Sequence, residues 1–289
     1  MNLAIFFQTT LNGLMTGGVY ALVAVGLTLI FGVMRIVNFA QGEFVMLGMY
    51  LSWMLATITH IGAYPGLLVV GAGMFAIGYI AFKFLIVRVL GKNEEACILL
   101  TLGLSIFLQN VILLIFGADY RTVATSIKDL AFHAGSLSIA VPRLVAFGVA
   151  LLMVAFLSVF LTKTDLGRAM RATAESREVA TLLGINPIRC FAIAFAIGIV
   201  LAGAAGVLLT PMFYVYPSVG TLFNLTAFVI VVLGGMGSVP GALLGGLIIG
   251  IVEALSSTYI SLDLAQLFTF IIFLAVLFLR PSGLFGRSA

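Results

Sequence analysis

Two long stretches of this chain, Asn2 to Met34 and Cys190 to Val252, contain no charged side chain at all. About 20 apolar residues cross the hydrocarbon of a bilayer as a helix, and charge inside it is costly. Lipid offers a free backbone N–H or C=O no partner, so such runs must fold as helices or close as a barrel. Composition agrees: 63% of the residues are hydrophobic and 8% charged, where soluble domains have roughly 45–50% and 25%. A polytopic helical membrane protein follows, and 289 residues allow eight or nine spans with short loops. One membrane domain over residues 1–289 is expected, with no room for an aqueous domain. The start, Asn2–Phe7, lacks a basic n-region, so the first apolar run reads as a retained helix, not a leader.

The long polar exception is Asp165 to Asn186, with Arg168, Arg171, Glu175, Arg177 and Glu178 in its middle. It must sit in water. Thr164 or Asp165 can cap its start, because a side-chain oxygen accepts from free N–H groups there. Gly184 followed by Pro187 reads as its end. Arg168, Arg171, Glu175 and Glu178 fall on one helical stripe, although two short helices hinged near Glu175-Ser176 fit the pattern too. The opposite face is small and Ala-rich, without a bulky aromatic to anchor in lipid. Docking into a protein groove suits it better than lying flat on a membrane surface.

Arg35, Asn38, Gln41 and Glu43 crowd between two apolar runs, with Gly42 among them. Polar and apolar residues alternate, and the segment is too short for an independent loop. It reads as a broken or re-entrant helix whose freed backbone groups face water or protein, or else as an interfacial turn with snorkelling charges. Thr221 to Leu233 offers only thirteen residues before the glycine-rich Gly234–Gly241, a second interruption or a flexible interfacial loop. In the run from Ala96 to Phe116, Gln109 and Asn110 pair with neighbouring helices or face a substrate. The mixed loop 117–141 suggests a short hairpin on the outer side, from the alternation of Ser136, Leu137, Ser138 and Ile139. Gly13-xxx-Gly17 and Gly198, Ala202, Gly206 are small-residue faces for close helix packing. Glu253 is either paired within the membrane or at its outer interface.

Chemistry-bearing clusters are few. Cys97 and Cys190 are expected as free buried thiols, and two distant histidines, His60 and His133, make no metal site. Gly91-Lys92 is no phosphate loop, because Asn93 stands where Ser or Thr is required. The chain therefore binds no ATP by itself. The net charge of +4 needs no nucleic acid: with loop 163–189 cytoplasmic and the N-terminus outside, basic loops 83–92 and 280–287 share the inner side.

Three separated segments resemble one family. GRAMRATAESREVATLLGIN is similar to the coupling loop of bacterial ABC importer permeases, and more closely to that of the branched-chain amino acid permeases, GRAxRAxAExxxxAxLLGIN. FGVMRIVNFAQGEFVMLGMY resembles their NFAxGEF segment, and GGMGSVPGALLGGLIIGIVEAL their GGxGSxxGA signature. The resemblance implies an all-α ABC importer permease fold with broken helices and a cytoplasmic coupling helix, in the bacterial inner membrane. It implies the smaller permease subunit of a branched-chain amino acid importer, non-catalytic and without a cofactor. The implied partners are a second homologous permease or a second copy, two ABC ATPase subunits, a periplasmic substrate-binding protein and membrane lipid. Arg168, Arg171, Glu175 and Gly184 become the expected ATPase-coupling surface. Asn38, Gln41, Glu43, Gly234, Gly235 and Gly237 become the expected pathway or gate. A urea or short-amide importer permease would share these signatures. An ATP-independent channel or secondary transporter would need no ATPase. A membrane subunit of an electron-transfer complex is disfavoured by the absence of paired intramembrane histidines.

Overall fold

The computed structural model describes residues 3–59, 62–123, 130–134, 137–280 and 283–285. Among them the chain forms eleven α-helices and one β-hairpin: α1 (Leu3–Met34), α2 (Gln41–Thr59), α3 (Ala63–Phe84), α4 (Glu94–Phe116), β1 (Ala131–Ala134), β2 (Leu137–Ala140), α5 (Val141–Lys163), α6 (Asp165–Glu175), α7 (Arg177–Leu182), α8 (Pro187–Leu209), α9 (Val219–Gly234), α10 (Val239–Tyr259) and α11 (Leu262–Leu279). Seven of these are long and apolar enough to cross a bilayer; α9 and the apolar part of α11 are shorter. The expected eight or nine spans thus resolve into seven long helices and two short ones among the described residues.

Helix α1 is the axle. Apolar residues surround it on every side, and from Gly17 to Ile30 it is buried throughout. Such a helix has no lipid-facing stripe and must be enclosed by others. It runs antiparallel to α10 with the backbones almost touching. A Cβ on Gly17 would lie 2.5 Å from the carbonyl oxygen of Gly246, so only glycine permits this approach. The Gly13-xxx-Gly17 face therefore meets α10, and tight van der Waals contact replaces the hydrophobic drive that lipid cannot supply. The second axle is α8, which meets α1 at Gly198 and α2 at Gly206, with α3 on its Ala196–Ile199–Gly203 side. By contrast α4 and α5 turn most of their surface outward, with Ile106, Phe107, Leu114, Leu152 and Phe156 exposed.

The helix directions place the N-terminus of α1, the β-hairpin and the C-terminal end of α2 on one side. Loop 85–93, α6, α7 and the end of α11 lie on the other. Among the described residues, ten of the twelve Lys and Arg lie toward the second side, all but Arg121 and Arg143, which identifies it as cytoplasmic. On the outer side β1 and β2 pair antiparallel, Phe132 opposite Ile139, as the alternation suggested. The Gln8 amide ties the hairpin to α1 through Ser138, accepting from its N–H at 2.8 Å and donating to its C=O at 2.6 Å. Residues 135–136, His60 and residues 281–282 and 286–289 lie outside the described residues. Cys97 and Cys190 are both free and buried. The Tyr20 hydroxyl donates to the Glu253 carboxylate at 3.3 Å, so Glu253 is paired with α1. Asn110 donates to Ile106 C=O of its own helix at 2.8 Å, a bond within α4 and not between helices.

Candidate functional site

On the cytoplasmic side the polar segment folds as two helices. Thr164 caps α6, its hydroxyl oxygen accepting from Gly167 N–H at 3.0 Å. Gly167, Met170 and Thr173 form the buried face of α6, against α5, α8 and α1. At Ser176 the backbone turns extended, and the hydroxyl accepts from Val179 N–H at 3.3 Å to start α7. A serine side chain that competes for backbone donors ends one helix and begins the next. Of the two arrangements the sequence allowed, the pair of short helices hinged at Ser176 forms and the single stripe does not: Arg168, Arg171 and Glu175 belong to α6, and Glu178 to α7. Arg168 is ion-paired with Asp165 at 2.5 Å. Gly184 ends the segment at φ +80°, where a side chain would strain the backbone. Asn186 then caps α8, accepting from Arg189 N–H at 3.2 Å.

The feature that sequence reasoning missed lies at the tip. Leu182 is 86% exposed and Leu183 72%, with Val179 and Ile188 beside them, at the end of a segment that is otherwise polar. Helix α7 stops at Leu182, so Leu183 falls off the helix and turns outward. An apolar cluster raised on a polar, helix-capped loop is the form of a docking surface. The Arg177 guanidinium lies over the Phe191 ring at 4.8 Å and fixes α7 to the base of α8.

The second feature lies inside the helix bundle. After Met34 the chain leaves the helix, Arg35 at φ +55°, and residues 35–40 climb back alongside α1. Gln41 then starts α2 at the level of Gly26, eight residues above Met34, about 12 Å at 1.5 Å per residue. Helix α9 also starts at this depth. A Cβ on Gly42 would lie 1.9 Å from the carbonyl oxygen of Gly220, so the two helix N-termini meet backbone to backbone. The break frees backbone groups inside the bundle; two amides, Asn38 and Asn224, bond to them, and a third, Gln41, bonds across to neighbouring helices. Asn38 Oδ1 accepts from Ala40 N–H at 3.2 Å. Asn224 donates to Phe39 C=O at 2.6 Å. Gln41 accepts from the Asn38 amide at 3.1 Å and donates to Gly198 C=O at 3.3 Å and Val23 C=O at 3.5 Å, which ties α2 to α8 and α1. Asn38, Gln41 and Glu43 are each at most 2% exposed. Among the described residues, Glu43 Oε2 is a buried oxygen with no hydrogen-bond partner.

The glycines expected with this cluster lie elsewhere. Gly234, Gly235 and Gly237 make the α9–α10 turn at the cytoplasmic end, next to Gly32. Gly235 and Gly237 take φ +99° and +87°. The turn is stapled to the C-terminal segment by Leu284 N–H to Leu233 C=O and Phe285 N–H to Gly234 C=O, at 2.8 and 3.0 Å. The interruption inside the bundle precedes α9, at 210–218; the one after it is a surface hairpin turn. The expected gate therefore divides into an inner polar break and a cytoplasmic glycine turn.

A bundle of apolar helices, broken at mid-depth and carrying a capped polar loop on one face, has the form of a multi-pass membrane permease. Comparisons with known proteins place it more closely. The family described as branched-chain amino acid transport system, permease component, matches residues 9–277. The high-affinity branched-chain amino acid transport system permease protein LivH of Escherichia coli K12 is 39% identical over 297 residues, covering 98% of this chain and 96% of that one. BraD of Pseudomonas aeruginosa, of the same description, is 34% identical over 295 residues, with 98% and 96% covered. A probable branched-chain amino acid permease of Methanocaldococcus jannaschii is 31% identical over 278 residues. PsaBC of Streptococcus pneumoniae, solved in complex with a Fab, overlays with a TM-score of 0.52 over 95% of this chain and 92% of its own, at 11% identity, a likeness of fold alone. The chain belongs to the branched-chain amino acid ABC transporter permeases.

Proposed function

We propose that this chain carries branched-chain amino acids inward by alternating access, driven by ATPase subunits that dock on α6 and α7. The observation that carries this reading is the exposed Leu182–Leu183 tip, held outside the bundle by two capped helices and the Arg177–Phe191 contact. Arg168 and Arg171, both exposed on α6, steer a partner's acidic rim. A second permease, related or a copy, meets the outward-facing side of α4 and α5, and a binding protein delivers cargo on the outer face.

The proposed transmission runs through named contacts. Helices α6 and α7 pack on α8. The mid-helix carbonyl of Gly198 in α8 holds Gln41, the first residue of α2. A shift of the α8 base thus reaches the polar break, which serves as the hinge or gate, with Glu43 beside it and the Gly235–Gly237 turn as a second pivot. A partner shifts this equilibrium only by contacts that differ between the two states.

Purification of the chain from its native membrane should bring with it a nucleotide-binding subunit. Reconstituted, that complex should accumulate leucine, isoleucine or valine only with ATP. Isolation without any nucleotide-binding partner, or uptake that ignores ATP, would overturn the reading.

A further inference from the structure

Beneath the α1–α2 break lies a cavity of about 500 Å³ that opens to the cytoplasm. Its walls come from two parts of the fold, with Phe191 of α8 as a further lining residue. One is the scaffold: the end of α1, residues 35–37, and the stretch 90–98 that leads into α4. The other is the coupling segment, residues 173–177, around the joint between α6 and α7. Five charged side chains line it: Arg35, Lys92, Arg177, Glu94 and Glu175. None of the five is in an ion pair within 4.0 Å; among the described residues that pairing occurs between Arg168 and Asp165. Ile36, Val37 and Ile98 give the cavity an apolar wall.

From this arrangement we infer a cytoplasm-facing binding site for a zwitterionic α-amino acid with an aliphatic side chain. Its size falls in the range of about 300–1,000 Å³ that small-molecule sites occupy. Both signs of charge are present, which suits a ligand bearing a carboxylate and an ammonium. The guanidinium groups of Arg35 and Arg177 take the carboxylate, with the bidentate geometry that pairing prefers. Glu94 and Glu175 take the ammonium, and Ile36, Val37 and Ile98 receive the side chain. An anionic lipid headgroup fits poorly, because the same two carboxylates repel it. The inference rests on the proposed function, since that reading puts such an amino acid on this side of the membrane. It adds a regulatory consequence. A ligand that bridges Glu175 and Arg177 to Glu94 and Arg35 joins the coupling segment to the scaffold, so accumulated amino acid opposes the motion that imports more. Binding preferentially to one arrangement is all that such control requires.

Cys97 lines the cavity and reports on it directly. The intact importer complex, carrying Cys190→Ala and embedded in nanodiscs, would be treated with methyl methanethiosulfonate and the modification of Cys97 followed by mass. At leucine about ten times its Kd, modification should slow about tenfold, because roughly one cavity in ten stays open. Urea should not protect. Glu94→Gln, which removes one of the two carboxylates that hold the ammonium, should abolish protection. It should also relieve the slowing of uptake by leucine loaded inside vesicles, with uptake into empty vesicles unchanged. Equilibrium binding of labelled leucine, without the binding protein, reads the same site should Cys97 prove unreactive. An unchanged modification rate together with no binding lost in Glu94→Gln would overturn the inference. So would protection that follows anionic lipid content and ignores leucine. Both readouts work without turnover: a complex that protects Cys97 but never imports leucine would refute the proposed function and not the site.

Discussion

Truncating Leu182 to alanine separates a docking role from a folding role. The side chain is 86% exposed in the free subunit, so its removal takes almost no contact from the fold. Surface changes of this kind shift stability by about 0.5 kcal/mol or less. Buried in a partner's groove, the same side chain contributes fully. Leucine exceeds alanine by three carbons, at about 0.8 kcal/mol each, or about 2.4 kcal/mol. At 1.4 kcal/mol per tenfold, that is a loss of about fiftyfold in affinity for the ATPase subunits. Leu208→Ala supplies the contrast, since Leu208 is fully buried in α8. There the expected cost is about 2–5 kcal/mol of stability, with no direct effect on docking. The assay is titration of detergent-solubilised permease with purified ATPase subunits, with the thermal midpoint of each variant measured alongside. If Leu182→Ala binds the ATPase within a factor of about two of the unmodified chain, the tip is not the docking surface. If its thermal midpoint falls as far as that of Leu208→Ala, the side chain is part of the fold or sits in lipid.

Other expectations follow from the break and the loop. Gln41→Leu removes bonds to Asn38, Val23 and Gly198, and should lower stability by about 1–3 kcal/mol in thermal unfolding, with the weaker end typical of membrane interiors. An unchanged midpoint would remove Gln41 from the transmission path. Gly42→Ala drives a methyl group into the Gly220 carbonyl, so folded yield should collapse; normal expression of active complex would show that α2 and α9 do not meet this closely. Gly184→Ala meets no neighbouring atom within 4 Å, so its effect is the left-handed backbone alone, about 1 kcal/mol. Uptake should fall with little loss of subunit, and equal uptake would make Gly184 dispensable. Asn38 is buried in this state. Asn38→Cys should therefore react with a water-soluble thiol reagent only during ATP turnover, and labelling independent of nucleotide would sink the gate assignment.

Much of the membrane architecture was legible in the residues themselves. Charge is excluded from hydrocarbon and helix ends need caps, and both are local rules. They set the apolar runs, the cytoplasmic side, and the Thr164, Ser176 and Gly184 punctuation of the polar segment at 165–186. They also pointed to an interruption near Asn38 and Gln41, a broken helix or an interfacial turn, because a polar cluster between two apolar runs cannot lie in hydrocarbon unpartnered. The rest depends on which faces meet across long sequence separations. No local pattern says that Gly42 abuts Gly220, that Asn224 closes the break from the far end of the chain, or that the Gly234–Gly237 turn sits at the cytoplasmic surface. Exposure is of the same kind. Leu182 and Leu183 look like any buried leucines in the sequence, and only the packing of α6 and α7 against α8 leaves them uncovered. Solvation energy is a property of each residue and can be read along the chain, whereas packing is a property of pairs and exists only once the helices have come together.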